Sequence, residues 1–161
     1  ERLPINRKEN TGEQALMSTY TIRDNNVDYS TLWEEFKTGT GPERSLFRND
    51  HPMIEDIKKS WIMTLAMMKF LSQGGDKPLR RFDVPFGLVG AFLSHSMTSQ
   101  FIGGARISII PVSGGYYFQV DDTKNRHSLF LHLDTNNPTR LPNQTTPLGT
   151  TYQRYIWFQS K

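Results

Sequence analysis

The residues of this sequence that are best suited to chemistry lie in its last third, where histidines and arginines stand among aromatic residues. His132 is the candidate general acid or base, because an imidazole changes charge near neutral pH. Arg140 and Arg154 offer guanidinium groups, which bind phosphates and carboxylates. These three residues form the predicted catalytic set. In it His132 would transfer a proton, Arg140 would stabilise a phosphorane, and Arg154 would steer a phosphate backbone.

A second group of cations and aromatic residues is the predicted substrate-binding set. Cations attract phosphates, and aromatic rings stack on bases. Lys124 is also an alternative to Arg154 for steering the backbone. The set consists of Lys124, Arg126, His127, Tyr155 and Trp157.

Each of these residues also has an ordinary structural interpretation, which the sequence leaves open. His132 could be a half-buried histidine bonded to a neighbour, Arg140 an exposed loop residue, and the strand of Arg154 a central core strand. The run 121–127 mixes carboxylates, cations and an imidazole, as in metal-assisted or acid–base hydrolysis. However, its Asp, Lys and Asn residues are also typical of a solvated turn. We predict neither a metal ion nor another cofactor.

The orientation of His132 depends on the strand predicted over 128–133. Alternation along a strand places Leu129, Leu131 and Leu133 on one face and His132 on the other. If the leucines face the core, the imidazole faces outward. It would then share a pocket with Arg140, which lies in the polar, proline-containing loop 134–151.

The elements that must position these residues predict an α+β domain. Helices come first, and an antiparallel sheet of four to five strands packs on a helix over 52–73. That helix shows an apolar stripe at intervals of three and four, formed by Ile54, Ile57, Trp61, Leu65 and Met68. A shorter helix over 31–37 would begin at a capping box formed by Thr31 and Glu34. The predicted strands cover 18–23, 106–112, 116–121, 128–133 and 152–158.

Composition excludes several classes of protein. The 161 residues include no cysteine, which excludes disulfides, zinc thiolate sites and thiol nucleophiles. The net charge of +3 is compatible with a polyanionic partner without requiring one. No apolar run is long enough to span a bilayer, and P-loop, dinucleotide, His-Glu-x-x-His and EF-hand motifs are absent. We expect 1–15 to be a linker or arm and 16–161 a single domain. Because the first residue is not Met, the chain is expected to be part of a longer protein.

Several strings in this order resemble the variable C-terminal toxin domains of the RHS-repeat polymorphic toxins of Bacteroidetes. The resemblance covers roughly residues 30 to 158, and it identifies no catalytic residues. The strings are Trp33 to Phe36, Gly39 to Phe47, His51 to Met53, Phe86 to Leu88, Gln100 to Gly103 and Gly149 to Trp157.

This resemblance implies a secreted antibacterial effector that is released from the RHS shell of its parent polypeptide and is bound by a cognate immunity protein. Many toxins with helices first and a sheet last are metal-independent ribonucleases, so we expect RNA hydrolysis in the cytoplasm of the target cell. One alternative is an envelope toxin that attacks a cell-wall precursor or a membrane from the periplasm. Another is a non-enzymatic module whose sheet edge binds a peptide or glycan.

Overall fold

The computed structural model describes residues 19–84, 105–126 and 138–161. In these ranges three helices and six strands form an α+β fold, which confirms the predicted class. The helices are α1 (Tyr29–Thr38), α2 (Pro52–Lys58) and α3 (Trp61–Ser72). The strands are β1 (Thr21–Ile22), β2 (Arg44–Arg48), β3 (Leu79–Val84), β4 (Ala105–Val112), β5 (Gly115–Lys124) and β6 (Thr151–Ser160).

The six strands form one sheet in the order β1-β2-β6-β5-β4-β3. The sheet therefore has more strands than the four to five predicted, and it is mixed, not purely antiparallel. β2 lies parallel to β6 and to β1, whereas β6, β5, β4 and β3 are antiparallel neighbours. A five-residue strand that pairs with residues about a hundred positions later leaves no local sequence signal.

The hydrophobic core lies between the three helices and one face of the sheet. Register places Phe47, Tyr155, Val120 and Ile107 side by side on that face. All four are buried in one cluster with apolar residues of α1, α2 and α3. Residues at alternate positions of the same strands therefore point away from these helices.

The predicted helix over 52–73 is two helices, because the chain leaves helical geometry at Ser60. The first part of the predicted stripe is confirmed, since Ile54 and Ile57 are fully buried. Beyond the break the buried positions are Ile62, Met63, Ala66 and Phe70. Leu65 and Met68 are instead 38% and 63% exposed, because the break changes which face of the helix meets the sheet.

Other predicted boundaries differ by a few residues. α1 begins at Tyr29, and Asp28 caps it by accepting from the backbone amide of Thr31 at 2.8 Å, so Thr31 is not the N-cap. The strand predicted over 18–23 is confirmed only at Thr21–Ile22. The strands predicted over 106–112, 116–121 and 152–158 are confirmed in slightly longer form. The strand predicted over 128–133 lies outside the described residues.

No helix in the described ranges has both the length and the apolar composition that crossing a bilayer requires.

Candidate functional site

The open face of the sheet, defined as the face opposite the three helices, carries alternate residues of β5 and β6, most of which are polar or aromatic. Cross-strand register arranges them in four ranks along the two strands. From one end to the other the ranks are Tyr117 with Phe158, Gln119 with Ile156, Asp121 with Arg154, and Thr123 with Tyr152.

Two arginines and two tyrosines on this face form the arginine–tyrosine cluster, which consists of Tyr20, Arg44, Tyr152 and Arg154. The Cζ of Arg44 lies 4.3 Å from the ring centre of Tyr152 and 5.8 Å from that of Tyr20. The Cζ of Arg154 lies 4.8 Å from the ring of Tyr20. Each contact has cation–π geometry, so the rings hold both guanidinium groups in defined positions.

The parallel pairing of β2 with β6 explains why these residues meet. Arg44 is the direct register partner of Tyr152, and Thr21 is the partner of Ser45. Tyr20 therefore enters the face next to Arg44, although the two residues are far apart in sequence. This arrangement could not be deduced from the sequence, because it requires the two parallel pairings.

Arg154 is held by a carboxylate as well as by a ring. Its Nε donates to Oδ1 of Asp121 at 2.6 Å, and Asp121 also accepts from Nε2 of Gln119 at 2.6 Å. Burial alone would lower the pKa of Arg154, but the hydrogen bond and charge of Asp121 outweigh it and raise that pKa. The guanidinium is therefore charged, and the ion pair with Asp121 holds it on the open face.

A groove of about 440 Å³ next to Arg154 brings more arginines to the open face. Arg80, Arg81 and Arg106 line it together with Arg154. The register of β3 against β4 shifts between Leu79 and Phe82, and Arg81 has a φ of 53°. This bulge leaves two consecutive arginines exposed at the edge of the sheet.

On the other face, β5 and β6 bury three polar residues close to Asp121 and Arg154. Asp122 and Lys124 are 2% and 5% exposed, and Gln153 is the register partner of Asp122. Desolvation lowers the pKa of Lys124, and the charge of Asp122 opposes this effect. The ammonium also lies 5.7 Å from the ring centre of Trp33. Lys124 thus lies inside the fold at the end of β5, not in a solvated turn.

Tyr155 and Trp157, which were predicted to stack on substrate, occupy the core. Tyr155 is 0% exposed and stacks on Phe47 at 4.8 Å, and Trp157 stacks on Phe118 at 5.0 Å. Burial raises the pKa of Tyr155 well above its ordinary value, with a contribution from Asp122. Neither ring is open to a base from solution, because alternation along β6 points both toward the helices.

Arg140 is buried in contact with the end of α1. Its Nη2 donates to the carbonyls of Gly39, Thr40 and Gly41. Burial lowers the pKa of Arg140, and the charges of Glu35 and Glu43 oppose that effect. These carbonyls belong to the turn that follows α1, and the carbonyl of Gly39 also accepts from the backbone amide of Thr146. Arg140 therefore fastens the loop before β6 to the turn between α1 and β2.

The predicted catalytic set is only partly described. His132 and His127 lie outside the described residues, and Arg126 is half-buried just after β5. Arg140 lines a groove of about 700 Å³ beside residues 39–44, whereas Arg154 lines the separate groove on the open face. The two arginines are thus placed in different grooves, and their roles in catalysis remain predictions.

Within 19–84, 105–126 and 138–161 there is no group of three or more His, Cys, Asp or Glu side chains that could hold a metal ion. Comparisons with protein-family models, curated proteins and solved structures find no match to this chain.

Proposed function

We propose that this domain binds RNA on the open face of its sheet and acts as a metal-independent ribonuclease effector. The observation that supports this proposal most strongly is the arginine–tyrosine cluster. It combines fixed guanidinium groups, which suit phosphates, with aromatic rings, and all four residues are half-buried on the open face. A sheet face that carries aromatic residues is a common platform for RNA.

The charge of the groove supports an anionic ligand. The groove next to Arg154 is lined by four arginines and by two aspartates, Asp121 and Asp122. Asp122 is buried on the other face of the sheet. The ion pair between Arg106 and Asp83 joins side chains that are 44% and 72% exposed, so it stabilises the fold little. A phosphate could therefore compete for Arg106, and Arg80 and Arg81 are exposed beside it.

The proposed reaction uses the 2′-hydroxyl of RNA as the nucleophile, which explains why no metal is required. A base removes the 2′ proton, the 2′ oxygen attacks phosphorus, and the bond to the 5′ oxygen breaks as that oxygen takes up a proton. The products are a 2′,3′-cyclic phosphate and a 5′-hydroxyl. His132 is the proposed proton-transfer group, Arg140 would stabilise the phosphorane, and Arg154 would steer the phosphate backbone.

The first test measures binding and cleavage of a labelled RNA by the purified domain in EDTA. Wild type should cleave, and His132→Ala should bind with similar affinity but lose cleavage. Arg154→Gln should weaken binding for all sequences and reduce the salt slope of log K by about one. Lys37→Ala is the matched control, because it removes an exposed cation on α1. Intact RNA with pure wild-type protein would contradict the ribonuclease proposal.

A second candidate function is action on the envelope, which the exposed side of α3 favours. Met68 and Leu71 are 63% and 59% exposed and border an apolar groove of about 360 Å³, with Lys69 between them. Expression of the domain in the cytoplasm and, separately, in the periplasm distinguishes the two candidates. Toxicity confined to the cytoplasm supports the ribonuclease, whereas toxicity confined to the periplasm supports the envelope toxin. A binding module that is not an enzyme would produce no growth defect in either compartment.

The effector proposal also includes the RHS shell of a parent polypeptide, delivery into a target cell and a cognate immunity protein. Co-expression with the product of the adjacent reading frame should restore growth if that product is the immunity protein.

A further inference from the structure

We infer that Tyr117 and Phe158 form a base-stacking platform and that the RNA bound on the open face is single-stranded. This inference rests on the proposed function and specifies its substrate. The two residues are direct register partners on β5 and β6, and their ring centres lie 5.4 Å apart. Tyr117 is 53% exposed and Phe158 is 43% exposed, so the pair is an aromatic surface open to solvent.

The backbone of β5 fixes the position of the Phe158 ring. Gly115 is buried, and a Cβ atom added there would lie 2.6 Å from Cζ of Phe158. The ring therefore covers this glycine and could not occupy the same place over any larger residue. Packing on one side already restricts the motion of this ring. A base that stacks on the exposed side therefore binds without the entropy cost of ordering the ring.

The spacing of the platform from the cations suits an extended strand of a few nucleotides. Phe158 and Arg154 are four residues apart on one strand, which corresponds to about 14 Å. The rank of Gln119 and Ile156 lies between them. A strand could thus stack bases at Tyr117 and Phe158 while its phosphates reach Arg154 and the arginine-lined groove.

Base pairing would prevent this mode of binding. In an A-form duplex the bases are stacked inside the helix, so aromatic rings on a sheet surface cannot reach their faces. The cations alone would attract duplex and single strand alike. The platform is therefore the feature of the open face that discriminates between the two forms.

Fluorescence anisotropy with a 2′-O-methyl RNA 12-mer tests the inference, because this backbone binds without being cleaved. The single strand should bind wild type at least tenfold more tightly than the same sequence in a duplex. Tyr117→Ala and Phe158→Ala should each weaken single-strand binding by about tenfold, with an unchanged salt slope. Tyr117→Phe should retain most of the affinity, since it keeps the ring.

Three results would overturn the inference. Equal affinity for single strand and duplex, with no effect of the alanine variants while Arg154→Gln still weakens binding, would remove the platform but leave RNA binding intact. No binding of either form would remove the proposed function as well. Concentration-dependent self-association that is lost in Tyr117→Ala/Phe158→Ala would assign the rings to a protein interface. Thermal melts of the alanine variants check that each remains folded.

Discussion

At the scale of single residues, the alternation of side chains along β5 and β6 separates two environments. Asp121 and Arg154 form an ion pair on the open face, whereas Asp122 and Gln153, their immediate neighbours, are buried on the other. Two residues that are adjacent in sequence therefore have different environments, one on the face proposed to bind RNA and the other in the interior. The acidic partner on the open face is the feature that limits how well this face attracts an anion.

Asp121→Asn should increase affinity for RNA, because the carboxylate competes with phosphate for Arg154. Removing one negative charge at about 4 Å from an incoming phosphate is worth about 1 kcal/mol, or roughly a fivefold change in affinity. Anisotropy titrations at several salt concentrations measure this change. Asp83→Asn makes the same charge change at an exposed pair and should have a smaller effect. Weaker binding by Asp121→Asn would mean that alignment of Arg154 matters more than its charge.

At the scale of elements, the sequence predicted the strands and turns that depend on neighbouring residues, but not the pairings between distant segments. The hairpin of β4 and β5 was predictable because Ser113 and Gly114 form a two-residue turn, and Gly114 has a φ of 82°. β6 was predictable from its aromatic and β-branched composition. The pairing of β2 was not, since its partner lies about a hundred residues away. The arginine–tyrosine cluster depends on that pairing, which explains why only Arg154 of its four members was predicted.

Competition between neighbouring residues accounts for the remaining differences. Asp28 and Thr31 are both good N-caps, and Asp28 is the one with an extended backbone, whose side chain accepts from the amide of Thr31. Lys124 follows an acidic pair that is typical of a turn, but β5 continues through it because β6 supplies partners as far as Thr151. The end of a strand is thus decided by its neighbour in the sheet.

Arg140, a predicted catalytic residue, connects two elements, and its substitution tests whether it stabilises the fold. Arg140→Ala should lower the free energy of unfolding by about 2 kcal/mol, because the carbonyls of Gly39 and Gly41 in the turn after α1 lose a charged donor. Arg140→Lys should recover only part of this, since an ammonium lacks the planar fork. Urea denaturation measures both variants, with Arg48→Ala as a control for an exposed arginine. Unchanged stability together with lost RNA cleavage would instead assign Arg140 to the chemistry.

At the scale of the whole molecule, the described residues place the three helices on one side of the sheet and the arginine–tyrosine cluster on the other. The net charge of +3 is small, so its distribution matters more than its size. The buried side also contains a titratable group, His51, that connects three parts of the fold. Its Nδ1 accepts from the backbone amide of Met53 in α2, and its Nε2 lies 2.9 Å from the carbonyl oxygen of Asp24. Its ring meets Phe47 of β2 edge-on at 4.8 Å.

These contacts require a neutral imidazole, so global stability should fall in mild acid. Desolvation lowers the pKa of His51 below its ordinary value of 6.5; the bond to Asp24 opposes this, and the charge of Arg23 adds to it. Because the unfolded chain then binds the proton more readily, the stabilising contribution is complete above about pH 6.5 and is lost as the pH falls through the folded pKa. Urea denaturation at pH 7.5 and 5.5 should show a larger loss for wild type than for His51→Asn. Asn keeps an N-cap acceptor without titrating in this range, so equal losses in the two proteins would assign the acid sensitivity to carboxylates elsewhere.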